Sequence, residues 1–141
     1  MNYEPIRILH IVGIMNMGGI ENFLMNIYRN IDRSKIQFDF LVTREENGVF
    51  DQEIKTLGGK IYNIPKMESV GYNRYSKILY NFFKNHSEYK IVHCHRDALC
   101  AVYLKQAKKA NINTRIAHSH NTNIIENKNF NGYIKILAKN V

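Results

Sequence analysis

The sequence predicts an α/β protein in which a parallel β-sheet is covered by helices on both faces. Short apolar runs rich in β-branched residues alternate along the chain with segments whose apolar residues recur at helical spacing. The apolar runs are nearly continuous, which is typical of strands buried on both faces of a sheet. This alternation favours parallel strands joined by right-handed crossovers. The 141 residues are enough for one domain with a hydrophobic core.

The predicted elements follow one another as strand and helix from the start of the chain. Strands are predicted where β-branched and aromatic residues cluster, at 6–14, 37–43, 60–64, 90–95 and 115–118. Helices are predicted where apolar residues recur every three or four positions, at 19–31, 50–57, 74–86, 98–110 and 133–139. Gly58 and Gly59 are a typical signal for the end of the second helix, and Pro65 closes the third strand. The asparagine-rich stretch 121–131 is predicted to be a loop.

A pair of glycines, Gly18 and Gly19, separates the first strand from the first helix. In an open parallel sheet, ligands bind beyond the carboxyl ends of the strands, and a helix that begins there directs backbone N–H groups at them. A phosphate or a sugar hydroxyl suits this junction. The alternative is that the glycines only permit a sharp turn and close packing of the helix.

Two nucleotide-binding motifs can be tested directly at this junction. The pattern G-x-G-x-x-G is absent, which argues against a dinucleotide site. Gly13 and Gly18 have the spacing of a Walker motif, but Gly19 and Ile20 replace its essential Lys and Ser/Thr. A kinase or nucleotide triphosphatase is therefore not expected.

Histidines end the fourth and fifth predicted strands, in the segments His93-Cys94-His95 and His118-Ser119-His120. Residues i and i+2 of a strand share a face, so His95 and His120 are predicted to line one crevice if the two strands are neighbours. Three interpretations remain open: polar site histidines that act on a sugar or a proton, packing histidines, and a four-histidine zinc site. No carboxylate stands at a fixed ligand spacing, and we expect no metal.

Three charged residues lie near the predicted crevice. Glu21 falls in the first turn of the first helix, where a carboxylate complements the helix dipole. Asp97 is predicted to cap the amino end of the helix 98–110. Arg96 either binds phosphate or faces solvent.

The net charge of +8 predicts attraction to anionic partners. Nucleic acid is not expected, because no nucleic-acid-binding module is recognisable. The helix 74–86 mixes aromatic and basic residues, which fits core packing or contact with an anionic membrane surface. No apolar run is long enough to span a membrane, and no signal-peptide layout is present, so we expect a cytoplasmic protein. The two cysteines, Cys94 and Cys100, fit neither a zinc ribbon nor a disulfide framework.

Three segments together carry a resemblance to a known family: MNMGGIEN after the first strand, KIVHCH in the fourth and RIAHSHNT in the fifth. The chain resembles the N-terminal domain of family-4-type glycosyltransferases with the GT-B fold, especially the bacterial transferases of capsule and exopolysaccharide assembly. The resemblance implies a Rossmann-like domain. It also implies retaining transfer of a hexose from a nucleotide sugar to a glycan or lipid-linked acceptor, without a metal or other cofactor.

The same resemblance implies roles for individual residues. Gly18 and Gly19 match the glycine loop that lies against the donor phosphates and sugar. His120 matches the histidine that contacts the transferred sugar, and is the expected catalytic residue. His95 matches a position on the acceptor side of the cleft. The substrate-binding set is expected to include residues next to these histidines, namely Arg96, Asn121 and Thr122.

In that family, nucleotide recognition lies mostly in a second Rossmann-like domain with a Glu-x7-Glu motif, which has no match in a suitable context here. We therefore expect residues 1–141 to be an incomplete, acceptor-side domain that is inactive alone and works with a C-terminal half, carried for example by a partner chain. The alternative function is a non-catalytic binding or recruitment module, held peripherally at the inner membrane face by its basic surface. A flavodoxin-like domain shares the topology class but is disfavoured, because no Ser/Thr-rich phosphate loop follows the first strand.

Overall fold

The computed structural model describes residues 4–120, which form a five-stranded, all-parallel sheet with helices on both faces. This confirms the predicted fold class. The strands are β1 Ile6–Ile11, β2 Ile36–Val42, β3 Ile61–Asn63, β4 Ile91–Cys94 and β5 Thr114–Ala117. The helices are α1 Gly19–Asn30, α2 Asp51–Thr56, α3 Met67–Val70, α4 Tyr72–Asn85 and α5 Cys100–Lys109, with a 3-10 turn, Asp97–Leu99, before α5.

The strand order is β3-β2-β1-β4-β5, which makes β1 the central strand. The chain first builds outward from β1 to β2 and β3, and then crosses back to place β4 on the other side. This reversal between β1 and β4 is the topological switch point, where ligands bind in sheets of this type. Ile11 at the end of β1 is level with Leu41 in β2 and with Cys94 in β4, so the loops that follow these strands leave the sheet together.

The sheet separates two hydrophobic clusters. On one face, α1 and α2 pack against the sheet through buried residues that include Leu24, Tyr28 and Ile54. On the other face, α4 and α5 do so. The apolar side of α4 (Tyr75, Leu79 and Phe83) is buried in this second cluster, which agrees with core packing of that side.

Strand β1 is shorter than its apolar run predicts. Ile11 is its last residue, although the run continues to Ile14. Val12 and Met15 are nevertheless almost completely buried, because the loop after β1 packs under α1. The Gly13 carbonyl accepts the N–H of Thr43, so the loop remains tied to the segment after β2. The apolar run therefore extends beyond the end of β1, because the loop that follows the strand is buried as well.

Other element ends shift by smaller amounts, and one element is new. The four-residue helix α3 was not predicted, and it ends at Gly71, which has a φ of 78°. The predicted end of α2 is confirmed, because Gly58 adopts the left-handed conformation with a φ of 92°. Both cysteines are buried and free. Within residues 4–120, no helix has the length and apolar character needed to cross a membrane. The predicted helix 133–139 and loop 121–131 lie outside the described residues.

Candidate functional site

The glycine pair lies at the carboxyl end of β1, where α1 begins. Gly18 is the N-cap residue of α1, and no side chain caps this end of the helix. A Cβ atom built on Gly19 meets nothing within 4 Å, and one on Gly18 meets only the flexible carboxylate of Glu21, at 2.1 Å. Close packing against neighbouring elements among the described residues therefore does not account for either glycine. The amino end of α1 is left open to a ligand.

Five histidines lie side by side across the carboxyl ends of β1, β4 and β5, and we call them the histidine row. They are His10, His93, His95, His118 and His120. His10 Nδ1 lies 3.1 Å from His95 Nε2, and His95 Nδ1 lies 3.0 Å from His120 Nε2. A second pair joins His93 Nε2 to His118 Nδ1 at 3.2 Å. The row thus leads from a nearly buried ring, His10, to the partly exposed ring of His120 at the crevice.

The structure brings His95 and His120 into direct contact, as expected if the fourth and fifth strands are neighbours, which they are. His10 was not anticipated. It lies in β1 directly opposite His93 of β4, and this register carries its ring to His95. The sequence signal for His10 is a histidine that follows apolar residues in both RILH and KIVH, but it becomes useful only once the two strands are known to pair.

Four rings of the histidine row are held neutral by their surroundings, namely His10, His93, His95 and His120. Burial, followed by the proximity of His95 and His93, lowers the pKa of His10 well below the usual 6.5. Burial and the neighbouring rings lower the pKa of His95 to about 3. The pKa values of His93 and His120 are lowered too, mainly by burial. At neutral pH these four rings therefore offer N–H groups and lone pairs to a ligand, and no positive charge.

Two sets of three histidines bring ligand-type nitrogen atoms within 4.8 Å of one another: His10, His93 and His95, and His95, His118 and His120. Imidazole nitrogens are zinc ligands. In this structure, however, the closest nitrogens of the row are paired with each other by ring-to-ring hydrogen bonds. We assign no metal centre here, and the absence of a metal requirement stays a prediction.

Asp97 does not cap α5, contrary to the prediction. Helix α5 begins at Cys100, its N-cap residue is Leu99, and no side chain makes a cap hydrogen bond there. Asp97 instead has a left-handed backbone with a φ of 46°, which Asp tolerates better than most residues. Its Oδ1 accepts the backbone N–H of His120 at 3.0 Å. Asp97 thus fastens the segment after β5 to the segment after β4, and both turns contribute to one crevice.

Two carboxylates act on His120 through space. Asp97 and Glu21 both raise its pKa, against the stronger lowering by burial and by His118. Glu21 lies in the first turn of α1, as predicted. The ring of His120 is therefore neutral but lies in a region of negative potential.

Arg96 follows β4 and lies over Gly13, which follows β1. A Cβ atom built on Gly13 would be 2.4 Å from Nη1 of Arg96, so the guanidinium occupies the space that a side chain at residue 13 would take. Arg96 borders a pocket of about 440 Å³ at the switch point. We call this the switch-point pocket, and its buried or half-buried lining includes Gly13, Thr43, Tyr75, Arg96, Leu99 and Tyr103. The predicted site residues Asn121 and Thr122 lie outside the described residues.

Comparison with known proteins gives one informative similarity. Over 138 residues, or 98% of this chain, the sequence is 34% identical to a protein of Bacillus subtilis (strain 168) named "Putative glycosyltransferase EpsF". The chain covers only 36% of that relative's length. No family model and no solved structure matches. The chain is therefore similar, over nearly its whole length, to one part of a protein named as a glycosyltransferase.

Proposed function

We propose that this chain is the acceptor-side half of a retaining, GT-B-type glycosyltransferase that moves a hexose from a nucleotide sugar to a glycan or lipid-linked acceptor in surface polysaccharide synthesis. The observation that carries the proposal is the meeting of an open glycine turn, Gly18-Gly19, and the histidine pair His95–His120 at the carboxyl edge of one sheet. The similarity to the Bacillus protein supports the same class of enzyme.

In the proposed site, the amino end of α1 faces the donor phosphates, since its N–H groups are uncapped by side chains. His120 hydrogen-bonds the transferred sugar. Retaining transfer develops positive charge on the sugar ring, and the negative potential from Asp97 and Glu21 would stabilise that charge. A neutral imidazole adds no opposing charge at this point.

Nucleotide recognition would come from a second Rossmann-like domain, supplied by a longer form of the protein or by a partner chain. The 36% coverage of the Bacillus relative supports the first of these arrangements. In either case the donor binds between the glycine turn and the second domain. We propose that the sugar transfer takes place in the cytoplasm and that the acceptor reaches the crevice from the membrane face.

The substitution Gly19→Ala tests the glycine turn. The added methyl group has no protein neighbour within 4 Å, so the fold should be kept, while the space beside the donor is reduced. Release of nucleotide from a panel of nucleotide sugars would be measured on the longer protein or on the chain with its partner half. We expect kcat/KM to fall by about tenfold or more, the loss of one to two kcal/mol of binding or transition-state energy. Asn26→Ala, on the exposed side of the same helix, is the matched control.

Unchanged transfer by Gly19→Ala would contradict the assignment of the glycine turn to the donor. Absence of nucleotide release from every donor tested, with the second half present, would contradict the enzyme itself.

A second candidate function, a non-catalytic module recruited to an anionic membrane, is favoured by one surface feature. A groove between α4 and α5 is bordered by three lysines and two tyrosines, namely Lys77, Lys105, Lys109, Tyr72 and Tyr80. Tyrosine and lysine together suit an anionic lipid interface. Co-sedimentation with neutral and anionic vesicles decides: this function requires binding to the anionic vesicles alone, and its loss when the three lysines are changed to Gln.

A further inference from the structure

Arg96 differs from the other arginines that fold onto the protein. Arg7 pairs with Asp39, Arg29 with Glu53 and Arg44 with Asp51. Arg96 is half-buried at the switch point, yet within residues 4–120 it has no ion pair and its guanidinium makes no hydrogen bond. A half-buried guanidinium loses part of its hydration, and a carboxylate or a bound anion normally compensates for that loss.

The guanidinium of Arg96 lies directly against the backbone of Gly13. Nη1 lies in the space beside the Gly13 backbone, and a Cβ at residue 13 would be 2.4 Å away from it. Gly13 does not have a positive φ, so its backbone does not require glycine. The absence of a side chain at residue 13 therefore gives the guanidinium of Arg96 room in this position, and a side chain there would displace it.

Hydroxyl-bearing residues line the switch-point pocket together with Arg96. The Tyr75 and Tyr103 hydroxyls lie 2.5 Å apart. Burial raises the pKa of both phenols, and the nearby charge of Arg96 lowers both by a smaller amount. Both phenols are therefore neutral. Thr43 also lines the pocket. A guanidinium beside neutral hydroxyls is a donor-rich environment for the oxygen atoms of an anion.

The size and the rim of the pocket restrict the ligand. About 440 Å³ falls in the range of small-molecule sites. At the exposed rim, Lys66 adds a positive charge, while Glu46 and Glu68 add negative charges. The rim therefore does not favour an extended polyanion. Inside the pocket, Arg44 is already paired with Asp51, whereas Arg96 has no carboxylate partner within residues 4–120.

From this geometry we infer that the switch-point pocket binds a phosphate group, with Arg96 as its main ligand, and that the group belongs to the acceptor. The assignment of this phosphate to the acceptor rests on the proposed function. The inference adds that the acceptor is phosphorylated. A soluble sugar phosphate and a phosphate that links a glycan to a lipid present the same chemistry to Arg96.

The test uses inorganic phosphate as the first probe, added at constant ionic strength to the 15N-labelled chain while the backbone and arginine N–H signals are recorded. We expect saturable shifts of the Arg96 side chain and of the pocket residues. Arg96→Gln should weaken phosphate binding about tenfold or more, since it removes the charged donor. Arg115→Gln, an exposed arginine on β5, should leave the affinity unchanged.

Gly13→Ala is the sharper variant, because it keeps every charge and moves only the guanidinium. We expect about the same loss of affinity as in Arg96→Gln, with unchanged signals elsewhere in the sheet. Equal phosphate affinity in the original chain, Gly13→Ala and Arg96→Gln would overturn the inference, as would shifts confined to residues outside the pocket.

Two further arms identify the source of the phosphate. A hexose 1-phosphate and vesicles containing a phosphate-monoester lipid would be compared with the uncharged hexose and with neutral vesicles. Arg96-dependent binding in either arm supports the inference and names the source. Arg96-dependent phosphate binding without sugar transfer would contradict only the proposed function. Sugar transfer that is equally fast with Arg96→Gln would overturn only the phosphate site.

Discussion

Lowering the pH from about 7.5 to about 5.5 should destabilise this protein through the histidine row. His10 and His95 have pKa values far below 6.5 in the folded protein, because burial and neighbouring rings disfavour their charged forms. In the unfolded chain both return to about 6.5. Below that pH the unfolded state binds protons that the folded state cannot. Stability is therefore complete above pH 6.5 and is lost as the pH falls toward the folded-state values, about 3 for His95.

The size of the effect follows from the number of buried rings. Each ring that stays neutral in the folded state costs about 1.4 kcal/mol of unfolding free energy for each pH unit below 6.5. For His10 and His95 together, the loss at about pH 5.5 is roughly 3 kcal/mol. A domain of this kind has about 5–15 kcal/mol in total, so the change is large. Carboxylates whose pKa is lowered from 3.8 or 4.5, such as Asp32 and Glu53, add their own losses only at lower pH.

Urea unfolding of the chain at a series of pH values would measure the effect. We expect His95→Asn to reduce the pH-dependent loss by about half, because one buried ring is removed. His86→Asn is the control, since His86 lies outside the row beside Glu88. A free energy of unfolding that is constant between about pH 7.5 and 5.5 would refute the reasoning. So would a slope that His95→Asn and His86→Asn change equally.

Two other predictions concern the scaffold, and urea unfolding tests both. Asp39→Asn should lower the free energy of unfolding by about 3 kcal/mol, because it leaves the Arg7 guanidinium without its fully buried carboxylate partner. Glu53→Gln, in an exposed ion pair, should lower it much less. Similar losses in the two variants would contradict this contrast. Gly59→Ala should cost about 1–3 kcal/mol, since its Cβ would lie 2.7 Å from a backbone oxygen and 2.8 Å from two side chains. Gly19→Ala, which has open space around the added methyl group, should leave the free energy of unfolding unchanged or raise it slightly. An equal loss of stability at both glycines would show that the close contacts of Gly59 do not cause the loss.

Much of the fold is predictable because burial on two faces leaves a clear pattern in the sequence. Each of the five strands of the described region overlaps a predicted apolar run, and none begins more than one residue before its run. Strand ends are less predictable, as β1 shows: Val12 and Met15 are as buried as strand residues but belong to the loop. Apolar character reports burial and not hydrogen-bond pairing. The short helix α3 lies between Pro65 and Gly71, two residues that indicate turns when only the local sequence is considered.

Contacts at the candidate site are predictable where they join strands that are consecutive in the chain. His95 and His120 follow two consecutive strands, β4 and β5, which the sequence predicts to be neighbours, and their rings do meet. His10 and the contact of Arg96 with Gly13 depend on the pairing of β1 with β4, and residues far apart in the chain create them. Asp97 shows the reverse case. Its local preference for a helix cap is overridden by a hydrogen bond to a residue 23 positions away.

The hydrogen bonds of the histidine row also restrict where its protons can be. Each neutral ring carries one N–H, and the chain His10–His95–His120 has two bonds to fill. The third N–H must be at one of two ends: at His10 Nε2, which is buried without a partner among the described residues, or at His120 Nδ1. With neutral rings no mixed arrangement exists, so the three rings share one tautomer. A ligand that needs His120 Nδ1 as an acceptor instead of a donor must therefore shift the protons of both bonds together, and the cost of that shift is set at His10, in the interior of the sheet.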